Sequence, residues 1–315
     1  MRGISMKRIL LPSLGIALVA VAFFSSNAFP WGSATHTFIN DHLGKKDRLA
    51  NINEMYGGTG MDVFNSLFLN QSPSITVHSE FMKVWNEAKL QTEKALAFGF
   101  ISHNEIWGAD FTAHRKSITS DRDEGYIITK SYLLKEILEQ NAGYGELNLA
   151  DDMALAFAHY CLERGIDILI KRQDPCIGRK MIFSAKNRSS NFPLLLIKAY
   201  AQDFTVYYGS YPEAAMGIFS AEEQFRKTIV IYGLALAQTE DLAIQLVAEQ
   251  MARQSERFFA AHGIEIPATV DMVSLMKFAL EKSIGICAED YYQEISATIS
   301  FLEQQLDAHG ISYDN

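Results

Sequence analysis

The segment that decides the fold is Met153-Ala-Leu-Ala-Phe-Ala-His-Tyr-Cys-Leu-Glu-Arg-Gly-Ile-Asp-Ile-Leu-Ile170. It is apolar around almost its whole circumference, which predicts a helix buried inside a domain. Three ionisable residues interrupt it at intervals of four, so that His159, Glu163 and Asp167 share one stripe of the helix. A buried imidazole beside a buried carboxylate needs a partner, and a metal cation satisfies both groups.

A second cluster of the same residue types lies upstream, in Gly99-Phe-Ile-Ser-His-Asn-Glu-Ile-Trp-Gly-Ala-Asp-Phe-Thr-Ala-His114. Two such clusters in one chain predict a zinc site with more than one ion. His159 and Glu163 alone are equally typical of a buried pair that satisfies itself. Asp167 is expected to support the ligands or to be exposed, and the side chains of Glu80 and Glu105 are expected to be solvated.

The chain as a whole is predicted to be all-α, because it has only seven prolines and no run of short alternating strands. A capping box, Ser220-Ala-Glu-Glu223, is expected to begin one of the helices, and residues 171–191 are expected to form a basic loop. The main helices are expected over residues 80–102, 151–171, 192–203, 220–238, 241–262, 270–287 and 290–309, with Gly263 and Gly310 as C-terminal caps.

Residues 1–28 are typical of a signal peptide. Arg2, Lys7 and Arg8 precede an apolar stretch from Ile9 to Phe24, and a run of small residues ends at Ala28. The segment therefore predicts export, with the mature protein secreted or periplasmic. The alternative is an uncleaved anchor helix, although the apolar run is short for a membrane span of ~20 residues.

Charge and cysteine content exclude several classes of protein. Without the three basic residues of the leader, 25 basic residues face 37 acidic ones, a net charge of −12. This argues against a nucleic-acid-binding surface and against general adhesion to anionic lipid. The three cysteines cannot all pair in one chain. A zinc site must therefore depend on histidines and carboxylates rather than on thiolates.

The eight histidines divide into two groups. His262 and His309 each precede a glycine at a helix end, where an imidazole has a structural role, and His42 lies in a polar stretch. The other five each have an Asp or Glu nearby in the sequence: His36, His78, His103, His114 and His159.

Taken in order, these residues resemble a known pattern. Its parts are Trp31-Gly-Ser-Ala-Thr-His36, Gly60-Met-Asp62 followed by His78, the run His103, Asp110 and His114, and His159-Tyr-Cys-Leu-Glu163. The order resembles that of the zinc-dependent phospholipase C/D family, within the superfamily shared with the zinc-dependent single-strand nucleases. The resemblance covers roughly residues 31–165.

The resemblance implies two to three zinc ions, about the number such sites hold. It departs from the family pattern where six residues, Asn104 to Ala109, separate His103 from Asp110 instead of the usual three. We expect this insertion to bulge, with Trp107 and Gly108 at its bend. The implied ligand sets are Asp62, His78, His103 and Asp110 for the first ion, His114, His159 and Glu163 for the second, and the main chain of Trp31, His36 and a bridging Asp110 for the third.

The resemblance also implies the organisation of the chain. Residues 29–215 would form a multi-helix zinc phospholipase-like domain, and residues 216–315 a C-terminal helical extension that supplies no ligands. A cluster of tyrosines, Tyr207, Tyr208 and Tyr211, is expected to contribute more to packing than to a lipid-binding lip.

The implied activity is a zinc-dependent phosphodiesterase that hydrolyses phospholipids through a metal-activated hydroxide, with Asp62 as general base or orienting group. Contact with a membrane surface would then be transient. Glu163 favours the phospholipases over the nucleases, whereas the spacing from Trp31 to His36 favours the nucleases. The alternatives are a single-strand-specific zinc nuclease and a non-catalytic, zinc-stapled helical binding module. The sequence does not distinguish C-type from D-type cleavage.

Overall fold

The computed structural model describes residues 31–45, 47–65 and 72–313. Every regular element within these ranges is helical and none is a strand, so the all-α prediction is confirmed. None of the helices in these ranges has the length and apolarity needed to cross a membrane. The predicted signal peptide at residues 1–28 lies outside the described residues.

The helices follow one another with short connections. A 3₁₀ turn, Gly60–Phe64, and a π-helical turn, Phe111–Arg115, interrupt the series at two places that matter for the site. The α-helices are α1 Ser33–Leu43, α2 Arg48–Thr59, α3 Ser72–Ser79, α4 Met82–Glu87, α5 Gln91–His103, α6 Tyr126–Leu138, α7 Ala142–Glu146, α8 Asp151–Gln173, α9 Ile177–Asn187, α10 Phe192–Tyr200, α11 Thr205–Tyr208, α12 Tyr211–Leu236, α13 Glu240–Ala261, α14 Met272–Cys287 and α15 Tyr291–Ala308.

Helix α8 is the central element, as its apolar sequence predicts. It packs against α6, α14 and α1, and from Cys161 to Ile170 every residue except Arg164 is buried. Asp151 and Asp152 lie in its first turn and basic residues in its last, which stabilises the helix dipole at both ends.

Asp167 connects α8 to two other helices. Its Oδ1 accepts hydrogen bonds from the main-chain N–H and the hydroxyl of Thr35, both at 2.8 Å, and its Oδ2 accepts one from the Tyr232 hydroxyl at 2.9 Å. Burial raises the pKa of this carboxyl, while Arg164 and the hydrogen bonds from Thr35 oppose the shift. Of the two roles expected for Asp167, the structure shows the supporting one, because the side chain is wholly buried.

Helices α2 and α5 touch backbone to backbone. A Cβ added at Gly99 would lie 2.0 Å from the Glu54 carbonyl oxygen, and one at Gly57 would lie 2.1 Å from that of Leu96. Only glycine allows so close an approach. As a result His103, at the end of α5, reaches the main-chain carbonyl of Gly58.

The predicted secondary structure is wrong at two places before residue 192. The helix expected over residues 80–102 is broken between α4 and α5, where the Glu93 carboxylate accepts hydrogen bonds from the main-chain N–H groups of Lys89 and Leu90 and begins a new helix. The loop expected over residues 171–191 contains α9, whose buried residues Ile177, Met181 and Ala185 recur every four positions.

Helix α12 begins nine residues before the predicted start at Ser220, which makes that prediction wrong. The capping residue is Ser210, whose hydroxyl accepts from the Glu213 N–H, with Pro212 in the first turn. The expected domain boundary at residues 215–216 falls inside this helix, and the division into two domains stays a prediction.

The predicted helix ends are confirmed in the C-terminal half. Gly263 and Gly310 have φ values of +69° and +65°, the left-handed conformation of a C-terminal cap. His262 and His309 each donate from Nδ1 to the carbonyl oxygen four residues earlier, at 2.8 and 2.7 Å. Their structural role therefore agrees with the sequence prediction.

The Asp167 contacts generate a stability prediction. Replacing Asp167 with Ala leaves buried donors on Thr35 and Tyr232 without an acceptor, and we expect the free energy of unfolding to fall by about 3 kcal/mol. Asp167→Asn, which keeps one acceptor oxygen, should cost less. Urea unfolding measures both, with Asp121→Ala in an exposed loop as the control. A loss in Asp167→Ala no larger than that of the control would contradict this role.

Candidate metal centre

Eight ionisable side chains from separate elements converge on one region. They come from α1, the 3₁₀ turn, α3, α5, the π-helical turn with the residue before it, and α8. Within each set below, one ligand atom per residue lies within 4.8 Å of the others. The sets are His36, His103 and Asp110; Asp62, His78 and His103; and His114, His159 and Glu163.

The Asp110 carboxylate lies between the first two sets. Its Oδ1 is 3.3 Å from Nε2 of His36, while its Oδ2 is 2.9 Å from Nε2 of His103 and 3.9 Å from Nε2 of His78. The imidazole rings of His36 and His103 stack at 3.8 Å. A carboxylate that offers its two oxygens to different histidines is suited to bridge two cations, the role expected for Asp110.

Asp62 completes the second set from the 3₁₀ turn. Its Oδ1 lies 3.6 Å from Nε2 of His103, and its side chain is 12 % exposed. The structure brings Asp62 together with His78 and His103, three of the four residues expected to hold the first ion.

The third set is built on α8. Nε2 of His159 lies 2.8 Å from Oε1 of Glu163, one helical turn away, and the His114 ring centroid lies 5.0 Å from that of His159. This is the grouping expected for the second ion. Both α8 residues are almost completely buried.

His103 and His78 each use Nδ1 as a hydrogen-bond donor and turn Nε2 towards the Asp110 carboxylate. His103 donates from Nδ1 to the Gly58 carbonyl at 2.7 Å, and His78 donates from Nδ1 to the Ser74 carbonyl at 2.8 Å. With Nδ1 protonated, the neutral tautomer of each ring leaves Nε2, the nitrogen that faces Asp110, without a proton. Among the described residues, no donor serves either Asp110 oxygen or either ring nitrogen of His36. Converging buried acceptors of this kind are groups that a bound cation would satisfy.

The spacing of the donors fits zinc. Ligand atoms bound tetrahedrally at about 2.0–2.2 Å from zinc are about 3.4 Å apart. The separations around Asp110 range from 2.9 to 3.9 Å. Imidazole nitrogens and carboxylate oxygens are also the donors that zinc accepts when thiolates are absent. The residues present therefore fit the predicted metal.

Burial disfavours the charged forms of these groups. It raises the pKa values of Asp110 and Glu163 well above the usual range and lowers that of His36 well below it. Burial and the neighbouring His103 lower the pKa of His78 to about 4. A bound dication would reverse the effect on the carboxyls, because it favours their ionised form.

The insertion between His103 and Asp110 is the bulge that the sequence predicts. Helix α5 ends at His103, and the side chain of Asn104 accepts hydrogen bonds from the N–H groups of Ile106 and Trp107 at 2.8 and 2.9 Å. A Cβ at Gly108 would lie 2.3 Å from the Asn104 nitrogen, so the turn closes tightly. Because the bulge folds back on itself, the Asp110 side chain lies next to that of His103.

Sequence analysis missed two supporting residues. Glu105 was expected to be solvated, which is wrong: its side chain is only 20 % exposed and accepts from Nδ1 of His114 at 2.6 Å. Asn65 donates to Oδ1 of Asp62 at 2.7 Å. No periodicity marks either residue, because both act from irregular turns.

Trp31 anchors the start of the described chain beside Asp110. Its indole N–H donates to the Ala109 carbonyl at 2.9 Å, and the buried ring stacks on Tyr126 with centroids 5.6 Å apart. These contacts place the residue close to the cluster. The main-chain ligation expected of Trp31 stays a prediction.

A cavity of about 590 Å³ adjoins the cluster, and its lining includes Asp62, His78 and His159. Arg164 also lines it, with a side chain only 15 % exposed. The guanidinium lies 5.2 and 5.1 Å from the ring centroids of Tyr160 and Tyr232. The site thus combines the ligand cluster, one fixed cation and a sizeable cavity.

Comparisons with protein-family models, with curated proteins and with solved structures returned no match. The family resemblance of the ligand motifs therefore stays a prediction.

The clusters predict the metal content of the purified protein. After reconstitution we expect about two zinc ions or more per chain, and about one fewer in His114→Ala and in His159→Ala, since both residues belong to one set. His262→Ala should retain the full content, because this histidine caps a helix end. Elemental analysis measures all four proteins. Less than about one zinc per wild-type chain would refute a polynuclear centre.

Proposed function

We propose that this protein is a zinc-dependent phosphodiesterase that hydrolyses phospholipids, by C-type or D-type cleavage. The observation that carries the proposal is the convergence of three ligand sets, two of which contribute residues to the lining of a cavity. Asp62, His78 and His159 belong to the ligand sets and also line the cavity, so a phosphate group bound there would be next to the metal ligands.

Bound zinc supplies an activated water and neutralises phosphate oxygens. The protein's own side chains would hold the metal ions and fix the orientation of the ligands. Asp110 would hold two cations close together, and the α8 pair His159 and Glu163 would hold the other. Glu105 fixes the orientation of His114 through its hydrogen bond.

Asp62 is the proposed general base, or the group that orients the attacking water. It lines the cavity on a short turn, and its Oδ1 accepts a hydrogen bond from Asn65 that fixes its rotamer. Burial raises the pKa of Asp62, while His103 and Arg164 partly oppose the shift. A carboxyl pKa displaced towards neutrality suits proton transfer near neutral pH.

A lipid is favoured over a nucleic acid for two reasons. The net charge of −12 expected for the mature chain repels an extended polyanion. The cavity is also lined largely by apolar side chains, including Phe157, Phe225 and Phe258. A nucleic-acid channel would instead carry a basic groove.

Exposed apolar side chains are consistent with transient contact with a membrane surface. Val206, Tyr211 and Met216, on α11 and the start of α12, are 77 %, 46 % and 66 % exposed. The neighbouring Tyr207 hydroxyl lies 3.4 Å from the Thr76 hydroxyl on α3, the helix that carries His78. The apolar surface therefore adjoins an element of the candidate centre.

Two other functions each have one observation in their favour. The spacing from Trp31 to His36 is that expected of a single-strand nuclease. Complete burial of His36, His103 and Asp110 is what a purely structural zinc staple would show. A staple has no turnover, and a nuclease has no lipid activity, so substrate assays separate the three.

The substrate prediction is that zinc-loaded protein releases headgroup from zwitterionic phospholipid faster than it degrades single-stranded DNA, and that chelation abolishes the release. Headgroup release and DNA length are measured in parallel at low and moderate salt. Because salt screens repulsion, any residual nuclease activity should rise with salt. Rapid DNA cleavage at low salt without lipid turnover would show a nuclease. Neither activity in fully loaded protein would favour the staple.

The proposed base generates a second prediction. Asp62→Asn should lower kcat by about 10²–10⁴-fold, the usual contribution of a positioned base, while most of the zinc is retained. Zinc content and turnover of a chromogenic phosphodiester are measured on the same samples. Asn65→Ala, which removes the hydrogen bond to Asp62 together with one from the Ser74 hydroxyl but leaves the Asp62 carboxylate in place, should give a smaller loss. Activity that falls only in proportion to lost zinc would show that Asp62 is a ligand and not a base.

A further inference from the structure

We propose that the cavity between α8, α12 and α13 binds the hydrocarbon chain of the substrate, so that the centre acts on phosphoesters of long-chain lipids. The inference rests on the proposed function and adds the place where the hydrocarbon chain of the lipid binds. It also gives the C-terminal helices, which supply none of the metal ligands, a direct part in the site.

The apolar part of the cavity lining comes largely from three helices. Phe157 belongs to α8, Phe225 and Ile229 to α12, and Val247 and Met251 to α13, and all five line the cavity. Each is at most 7 % exposed. The apolar part of the lining therefore consists of side chains that are almost completely buried.

The cavity is too large to be a packing defect. Protein cores leave few voids larger than a water molecule, which occupies about 30 Å³ of the liquid. The volume here is about 590 Å³. That is within the ~300–1,000 Å³ typical of ligand sites, which enclose a single ligand of moderate size. We infer that one hydrocarbon chain is enclosed.

The polar residues of the same cavity match the other half of an amphiphile. The ligand residues Asp62, His78 and His159 share its lining with Arg164. Asp167 Oδ2 lies 3.5 Å from Arg164 Nη1, and two tyrosine rings flank the guanidinium, so it is fixed in place. A fixed guanidinium is a good phosphate partner. A small water-soluble diester would occupy these groups but leave the apolar walls unfilled.

Binding of two simple phosphonates tests the inference without relying on turnover. Titration calorimetry on zinc-loaded protein compares dodecylphosphonate, below its micellar concentration, with methylphosphonate. We expect the long-chain compound to bind at least about 1,000-fold tighter, since each buried methylene contributes to affinity. Equal affinity for the two compounds would overturn the inference.

Two substitutions at Met251 and one matched control test where the hydrocarbon chain binds. Met251→Trp fills the cavity and Met251→Gln makes its wall polar at similar volume, so each should lower the long-chain to short-chain affinity ratio by about 10-fold or more. Leu242→Trp places the same large side chain on the exposed face of α13, where Leu242 is 44 % exposed, and should leave the ratio unchanged. Thermal unfolding checks that each variant is folded, and the glutamine variant tests the site if the tryptophan variant is not.

The outcomes separate the two proposals. A long-chain preference that the Met251 variants reduce, in a protein that hydrolyses no phosphodiester, would retain the chain site and refute the proposed function. Hydrolysis of a chromogenic phosphodiester with no long-chain preference would do the reverse. Met251 variants indistinguishable from Leu242→Trp would place the chain elsewhere and overturn the inference.

Discussion

The candidate centre depends on one electrostatic constraint: both oxygens of the Asp110 carboxyl group are buried beside histidine rings and lack a hydrogen-bond donor among the described residues. His103 donates a hydrogen bond from Nδ1 to a main-chain carbonyl. Both ring nitrogens of His36 lack a hydrogen-bond partner among the described residues. A buried anion without donors is costly, and so are neighbouring lone pairs that face it. A cation removes both costs. The glycine contact between α2 and α5, the bulge before Asp110 and the anchoring of Trp31 all act to keep these acceptors together.

Much of this arrangement was predictable from α8. Its apolar circumference predicts a buried helix, and the four-residue interval between His159 and Glu163 predicts a shared ligand set. The histidines at helix ends could be set apart because a following glycine marks a cap. The burial of α8 and the helix-end role of these histidines are confirmed because each depends on a local signal, whereas the ligand set stays a prediction for residues that the structure brings together.

The features that sequence analysis missed depend on long-range contacts or on irregular backbone. Glu105 holds His114 only because the residues between them fold back, and Asn65 supports Asp62 from a turn. The break before α5 depends on Glu93, which lies in the first turn of α5 and accepts a hydrogen bond from the N–H group of Lys89 before the helix. The participation of α12 and α13 in the cavity could not be predicted either, since apolar residues that face a cavity and those that face a core have the same pattern.

The distribution of the ligand residues along the chain has a consequence for folding. His36, His103 and Asp110 lie in one set although tens of residues separate the first from the others, and all three cysteines are unpaired. Cations in these sets would therefore act as the chain's crosslinks, closing long loops in a way that thiols do not. Loop closure restricts the unfolded ensemble, and binding energy of this kind becomes folding energy. Metal supply would then govern how much native protein accumulates, independently of any role in turnover.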